Sequence, residues 1–314
     1  MATEWLDKRY RRTVKDSTFL ATNDMFFKLH ILPHIGDHKI KKINKRTLEP
    51  VIDKWSKALS RHRFKLVVGY VKKVFDYAAQ EEIVANNPIL KVHIPTKKNS
   101  KPKTPSQFYD KNELQHFLTS CKGHGANGTF WHTFFHFLAY TGLRKGEALA
   151  LTWDDINFND GYVDVNKTTA TRMGEDGKRE LVVHDMTKNG EHRIVTIDKL
   201  TTSLLRTHKL SQPAKTTLIF PALKNNVKHM HGQSAGKAMK SIIVSKGLKV
   251  ITAHELRHTH CSLLFEAGIS MKEVQQRLGH KDIAVTMNVY AHVTKDRSNE
   301  VAELFSQHVN QNVK

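Results

Sequence analysis

Between Pro95 and Pro105 the chain passes through a segment that no hydrophobic core can absorb. PTKKNSKPKTP holds three prolines and four lysines and has no apolar side chain. Proline fixes its own backbone and biases the residue before it toward extended conformations, and the lysines repel one another. A stiff, solvated strap results, so the apolar residues on either side must build separate cores. We place a helical domain at 1–94, the basic linker at 95–106 and a mixed domain at 107–314, with a tail at 291–314. There is no internal repeat and no low-complexity tract.

The charge has a similar division. The 314 residues hold 50 Lys and Arg against 30 Asp and Glu, a formal charge of +20. Residues 1–105 carry 23 of the basic and 10 of the acidic side chains, so the N-terminal third is the more basic part. With 39% hydrophobic residues the composition is that of a folded protein rather than a disordered one. MATEWLDKRYRRTVK has no apolar core of a signal peptide, and no run approaches the ~20 residues of a membrane span. Two cysteines, Cys121 and Cys261, make no disulfide framework. The expectation is a cytoplasmic protein without a membrane partner whose surface suits a polyanion, above all nucleic acid.

Periodicity supplies the elements. Met25, Phe26, Leu29 and Leu32 predict a helix over 23–32, ended by Pro33 and Gly36. Leu48, Ile52 and Trp55 predict a second helix from about Lys45. Phe64, Val67, Val68, Val71, Val74, Phe75 and Ala78 predict a third from Ser60 to Gln80, with Arg61, Arg63, Lys65, Lys72 and Lys73 between them. After the linker, 111–121 and 129–140 read as helices, with Gly142 closing the second. Tyr162–Val165, 181–185 and 194–197 are β-prone, and Lys188-Asn189-Gly190 predicts a hairpin joining the last two. From Thr252 the chain is helical again. The class is mainly α with a small antiparallel β-sheet, α+β.

Three stretches carry chemistry. His254-Glu255-x-x-His258 has the spacing of a zinc protease helix, but the extended motif wants Gly at 261 and His at 264, where Cys261 and Leu264 stand. Glu255 has a simpler task, because Thr252-x-x-Glu255 is a capping box. His254 and Arg257 then share one face near a helix N-terminus, which attracts anions. In TGLRKGE, Arg144 sits in a glycine-flanked turn before a helix, where a guanidinium can fork onto two phosphate oxygens. A second capping box, Ser270-x-x-Glu273, opens a helix closed by Leu278-Gly279-His280, and Tyr290 follows ten residues later. Two Arg, two His and a Tyr are the groups required to attack a phosphodiester without a metal ion.

AYTGLRKGEALALTWDDI, HELRHTHCSLLFEAGISMKEVQQRLGHKDIAVTMNVYAHV and the Lys188 hairpin resemble the tyrosine recombinases, in particular the integrases of phages and mobile elements. The resemblance covers nearly the whole chain. It implies a two-domain, C-shaped DNA clamp that cuts and rejoins double-stranded DNA at attachment sites through a 3′-phosphotyrosyl link on Tyr290. It further implies that Arg144 and Arg257 neutralise the non-bridging oxygens and that Lys188 protonates the leaving 5′-oxygen, with Lys167 and Lys178 as alternatives. His254 would assist proton transfer at Tyr290, His280 would bond the phosphate, Glu147 would orient Arg144, and His258 would be a packing residue. No metal or cofactor is implied. Val301, Leu304, Phe305 and Val309 would form a tail stripe that docks on a neighbour in a DNA-bound tetramer, with accessory DNA-bending or directionality factors as further partners. Members of this branch commonly carry an arm-binding domain ahead of the first helix, whereas here Glu4-Trp5-Leu6 resembles the start of the core-binding domain. A non-catalytic clamp, a type IB topoisomerase and a metalloprotease are the alternatives.

Overall fold

A computed structural model describes residues 1–96, 108–173, 178–185, 192–293 and 306. The chain divides into two compact units, Met1–Thr104 with Thr171–Glu180, and Pro105–Ala170 with Leu181–Lys314. Among the described residues no helix is long and apolar enough to cross a membrane.

The first unit is helical. It comprises α1 (Ala2–Trp5), α2 (Asp16–Thr22), α3 (Leu32–Ile35), α4 (Lys45–Ala58) and α5 (Arg61–Gln80). Asn44 and Ser60 cap the last two by accepting from Thr47 N and Arg63 N. The expected stripes on α4 and α5 are the buried ones: Leu48, Ile52 and Trp55 on one, Phe64 to Ala78 on the other. The stripe expected at 23–32 is displaced. Residues Asn23–Ile31 wind as a π-helix, and its wider turn buries Phe27 and Ile31 while leaving Met25 and Leu29 exposed. Pro33 does not end the helix either. It falls in the first turn of α3, where a missing N–H costs little, and Ile35 still packs inward.

In the second unit, α6 (Lys111–Lys122), α7 (Gly128–Thr141), α8 (Lys145–Ala150), α9 (Lys199–Leu210), α10 (Gly232–Ser245) and α11 (Ala253–Glu266) surround one large core. The chain then ends its described part in α12 (Met271–Leu278) and α13 (Ile283–Val293). α7 supplies Phe134, Phe135 and Phe137, all fully buried. The strands of the chain are β1 (Ile156–Asn157), β2 (Tyr162–Val165), β3 (Lys167–Met173), β4 (Arg179–Asp185), β5 (Arg193–Thr196), β6 (Pro221–Ala222) and β7 (Asn225–His229), with 171–173 of β3 and 179–180 of β4 counted in the first unit.

The strand pairing corrects the hairpin expected between 181–185 and 194–197. β5 pairs with β2 in the order β1-β2-β5, whereas β4 pairs with β3 in a separate two-stranded sheet. Burial explains the choice. Val163 faces Val195 across β2 and β5, and both are buried, while Val183 on β4 is 40% exposed. The Lys188-Asn189-Gly190 turn itself lies outside the described residues.

α7 ends on Gly142 in the left-handed region at φ +67°. A Cβ there would come within 2.6 Å of both His260 Cδ2 and Leu278 Cδ2. Gly142→Ala is therefore expected to cost about 2–4 kcal/mol, from left-handed strain plus overpacking, read as a lower urea midpoint at an unchanged slope.

Two buried histidines set an acid limit on this unit. His136 meets Thr201 Oγ1 at 3.1 Å, and burial lowers its pKa from 6.5 to about 4. His260 accepts from Arg277 Nε at 3.0 Å, and burial with that cation lowers it to about 3. The unfolded chain takes up both protons near pH 6.5, while the folded chain resists until well below that. Stability is complete above pH 6.5 and falls as the pH drops toward 4, by up to about 1.4 kcal/mol per pH unit for each group. Chemical denaturation at stepped pH checks this, and a flat profile from pH 6.5 to 4.5 would contradict it.

Candidate active site

Two helix ends organise the site. α7 stops at Gly142 and α12 stops at Gly279, both with left-handed glycines, so each presents backbone carbonyls that have no partner within the helix. The negative ends of the two helix dipoles add to the attraction for cations. Guanidiniums take up these carbonyls. Arg257 donates to Gly142 O at 2.7 Å and to Leu278 O at 2.5 Å. Arg144 donates to Gly279 O at 3.3 Å, Arg193 to Arg277 O at 3.0 Å, and Arg277 to Tyr140 O at 3.1 Å.

Arg257 rises from α11, whose capping box forms as expected between Thr252 and Glu255. Its side chain is almost wholly enclosed, at 2% exposure, and its Nε is buried without a hydrogen-bond partner. Burial and the neighbouring Arg144 push its pKa down to about 9, which leaves it cationic at neutral pH. A buried guanidinium that no carboxylate bonds among the described residues is complementary to an anion supplied from outside.

Arg144 caps α8 and keeps 40% of its side chain exposed. Glu147, at 1% exposure, holds it by two bonds: Arg144 N to Oε2 at 2.9 Å and Nη1 to Oε1 at 2.8 Å. Burial alone would raise the Glu147 carboxyl, but Arg193 and Arg144 hold it below the usual carboxylate range. Arg193, on β5, completes that carboxylate through Nη2 to Oε2 at 2.7 Å and Nη1 to Oε1 at 3.3 Å.

Three histidines border the arginine pair. His280 follows Gly279 and pairs through Nδ1 with Thr286 Oγ1 of α13 at 2.8 Å. Burial, then Arg257 and Arg144, lower it to about 4. His254 keeps one side in solvent and is lowered by the same causes in the same order. His258 packs edge-on to His254 with ring centroids 4.9 Å apart and is lowered by burial and by His254. All are neutral near pH 7, the form that accepts a proton. Among the described residues no three His, Cys, Asp or Glu side chains gather into a metal-holding group.

Tyr290 lies on α13 with its ring 41% exposed and edge-on to Phe265 at 5.0 Å. Phe265 is eight residues beyond Arg257 on α11, about 12 Å of helix rise. The structure thus brings Arg144, Glu147, Arg257, His254 and His280 into one neighbourhood, and Tyr290 of α13 packs against Phe265 of the helix that carries Arg257 and His254. Lys188 and the tail stripe Val301, Leu304, Phe305 and Val309 lie outside the described residues. Of the alternative lysines, Lys167 is engaged with Asp155 at 2.8 Å and Lys178 is exposed. Arg193 and Arg277 were not among the candidates. Their partners lie 46 and 137 residues away, and nothing local in the sequence points to them.

Residues 107–297 match the phage integrase family. The chain belongs to that family. Residues 1–56 also match the N-terminal SAM-like domain of phage integrases. Relatives of this phage integrase family member include the tyrosine recombinase XerC-like protein of Caldanaerobacter subterraneus subsp. tengcongensis. It is 27% identical over 320 residues, 96% of this chain and 80% of the relative. The ICEBs1 integrase of Bacillus subtilis is 28% identical over 288 residues, 86% of this chain and 73% of the relative. Among solved structures, the Tn1549 transposon integrase in complex with a circular intermediate DNA aligns with a TM-score of 0.71 at 21% identity. That alignment covers 96% of this chain and 99% of the other. A lambda integrase dimer bound to a core site aligns at 0.65 and 17% identity, over 90% and 95% of the two chains. These structural likenesses show a shared integrase fold.

Proposed function

We propose that this integrase-family chain is a site-specific DNA recombinase that cuts and rejoins duplex DNA through Tyr290. The observation that carries the reading is the buried Arg257 with its unpartnered Nε beside the half-exposed Arg144: two cations held rigidly by backbone carbonyls and Glu147. Such a pair is built for an anion whose charge grows, as it does on the non-bridging oxygens of a phosphorane-like transition state.

In the reaction, the Tyr290 oxygen attacks the scissile phosphorus and its proton passes to the neutral His254. The bond from phosphorus to the 5′-oxygen breaks, and Lys188 supplies that oxygen with a proton. His280 donates to the phosphate while its other nitrogen pairs with Thr286. A 3′-phosphotyrosyl link and a free 5′-hydroxyl result, and the 5′-hydroxyl of another strand reverses the attack. The link conserves the phosphodiester's free energy, so no nucleotide cofactor is needed. Residues 1–94 would serve as the core-binding domain, with the lysine-rich linker gripping the backbone in a salt-dependent way. Assembly as a tetramer on DNA through the tail, with accessory factors setting direction, belongs to the same reading, as does action on the host nucleoid in the cytoplasm.

A nicked suicide duplex spanning the junction of the element that encodes the chain tests it. Incubated in EDTA, the protein is expected to form a denaturant-stable covalent adduct. Metal-dependent cleavage with no protein attached, or relaxation of supercoiled DNA without strand exchange, would contradict the recombinase assignment.

A further inference from the structure

We propose that Arg193 is a positioning residue: it takes half of the Glu147 carboxylate and so keeps Arg144 turned outward toward the DNA. The inference rests on the recombinase reading above and adds to it a residue that never touches the phosphate.

The buried Glu147 carboxylate is filled by donors from two arginines. The two Glu147 oxygens receive four donors, each oxygen taking one from Arg144 and one from Arg193: Oε1 from the two Nη1 groups at 2.8 and 3.3 Å, Oε2 from Arg144 N at 2.9 Å and Arg193 Nη2 at 2.7 Å. A carboxylate at 1% exposure needs that full complement. Because Arg193 fills half of it, Arg144 spends a single guanidinium nitrogen on Glu147. Its side chain stays 40% exposed. Arg193 is itself locked, with its side chain 9% exposed and its Nε donating to Arg277 O at 3.0 Å. Gly279, at φ +66°, sits against it so closely that a Cβ would lie 3.1 Å from Arg193 Cδ. One side chain therefore ties β5 to the start of α8 and to the end of α12, where His280 begins.

Removing Arg193 leaves two acceptor sites on a buried carboxylate. The Arg144 guanidinium, already bonded to Oε1 through Nη1, can release Gly279 O and rotate into a bidentate fork on Glu147. That fork turns its outward N–H groups away from the phosphate. Binding of the duplex, which depends on the wider basic surface, is unaffected.

Single-turnover adduct formation on the nicked suicide duplex, beside duplex affinity from fluorescence anisotropy, tests this. Arg193→Met is expected to slow cleavage about 10²-fold, the scale of a misplaced catalytic group, with affinity unchanged. Adding Glu147→Gln removes the charge that captures Arg144, so the double variant should cleave about tenfold faster than Arg193→Met alone. Arg193→Lys keeps a cation but not the fork, and should fall between that single variant and the unsubstituted protein. It carries the test if Arg193→Met does not fold. Unchanged cleavage in Arg193→Met or Arg193→Lys, or a double variant no faster than the single, overturns the role of Arg193 while leaving the recombinase reading intact. An unsubstituted protein that forms no adduct overturns both.

Discussion

Tyr290→Phe is expected to bind the duplex as tightly as the unsubstituted protein and to form no covalent adduct, a loss of about 10⁴-fold or more. The substitution removes one oxygen and keeps the ring. The ring keeps its edge contact with Phe265, Val289 stays in the small core with Cys261, Phe265, Val274 and Leu278, and Thr286 still pairs with His280. At 41% exposure the lost hydroxyl leaves no cavity. Denaturing gels give the adduct and anisotropy gives the affinity. Cleavage that persists in this variant would assign the nucleophile to another group, and parallel loss of binding would assign Tyr290 to recognition.

Arg257→Ala is expected to fail in two ways. Cleavage should drop about 10³-fold, because a preorganised cation disappears from the phosphate. Stability should also fall by about 3–5 kcal/mol, since Gly142 O and Leu278 O lose their donors inside the protein. Arg144→Met separates the two effects. Glu147 keeps Arg193 when Arg144 is lost, so the fold should hold while cleavage falls by about 10²–10³. Urea denaturation and single-turnover cleavage on both variants check the pair. Cleavage in Arg257→Ala that falls only in step with its folded fraction would deny that arginine a part in the transition state.

What could be read in the sequence was local. The stripe on α5, the capping boxes at Thr252 and Ser270 and the stop at Gly142 each depend on residues within a few positions of one another, and each formed. The segment 23–32 is helical as expected but lost its predicted face, because a π-helical turn changes the period on which the stripe was drawn. Strand pairing was misjudged at 181–197 because a turn dipeptide says nothing about which surface a strand will bury. Arg144, Arg257, His254 and His280 could be picked out in the sequence by residue type, and Glu147 only through the family resemblance. The burial of Arg257 was not legible, since its partners are backbone carbonyls, which have no signature in the sequence. Arg193 was hidden for a related reason: its partner Glu147 lies 46 residues away and reaches it only in the folded chain.

The central claim is that Tyr290 becomes joined to a DNA 3′-phosphate. Digestion of the suicide-substrate adduct with protease and nuclease, followed by tandem mass spectrometry, reads that bond directly. The expected product is a peptide carrying a 3′-linked nucleotide on Tyr290, with a free 5′-hydroxyl on the released strand. A nucleotide on any other residue, a 5′-linked phosphotyrosine, or cleaved DNA with no peptide attached would contradict it.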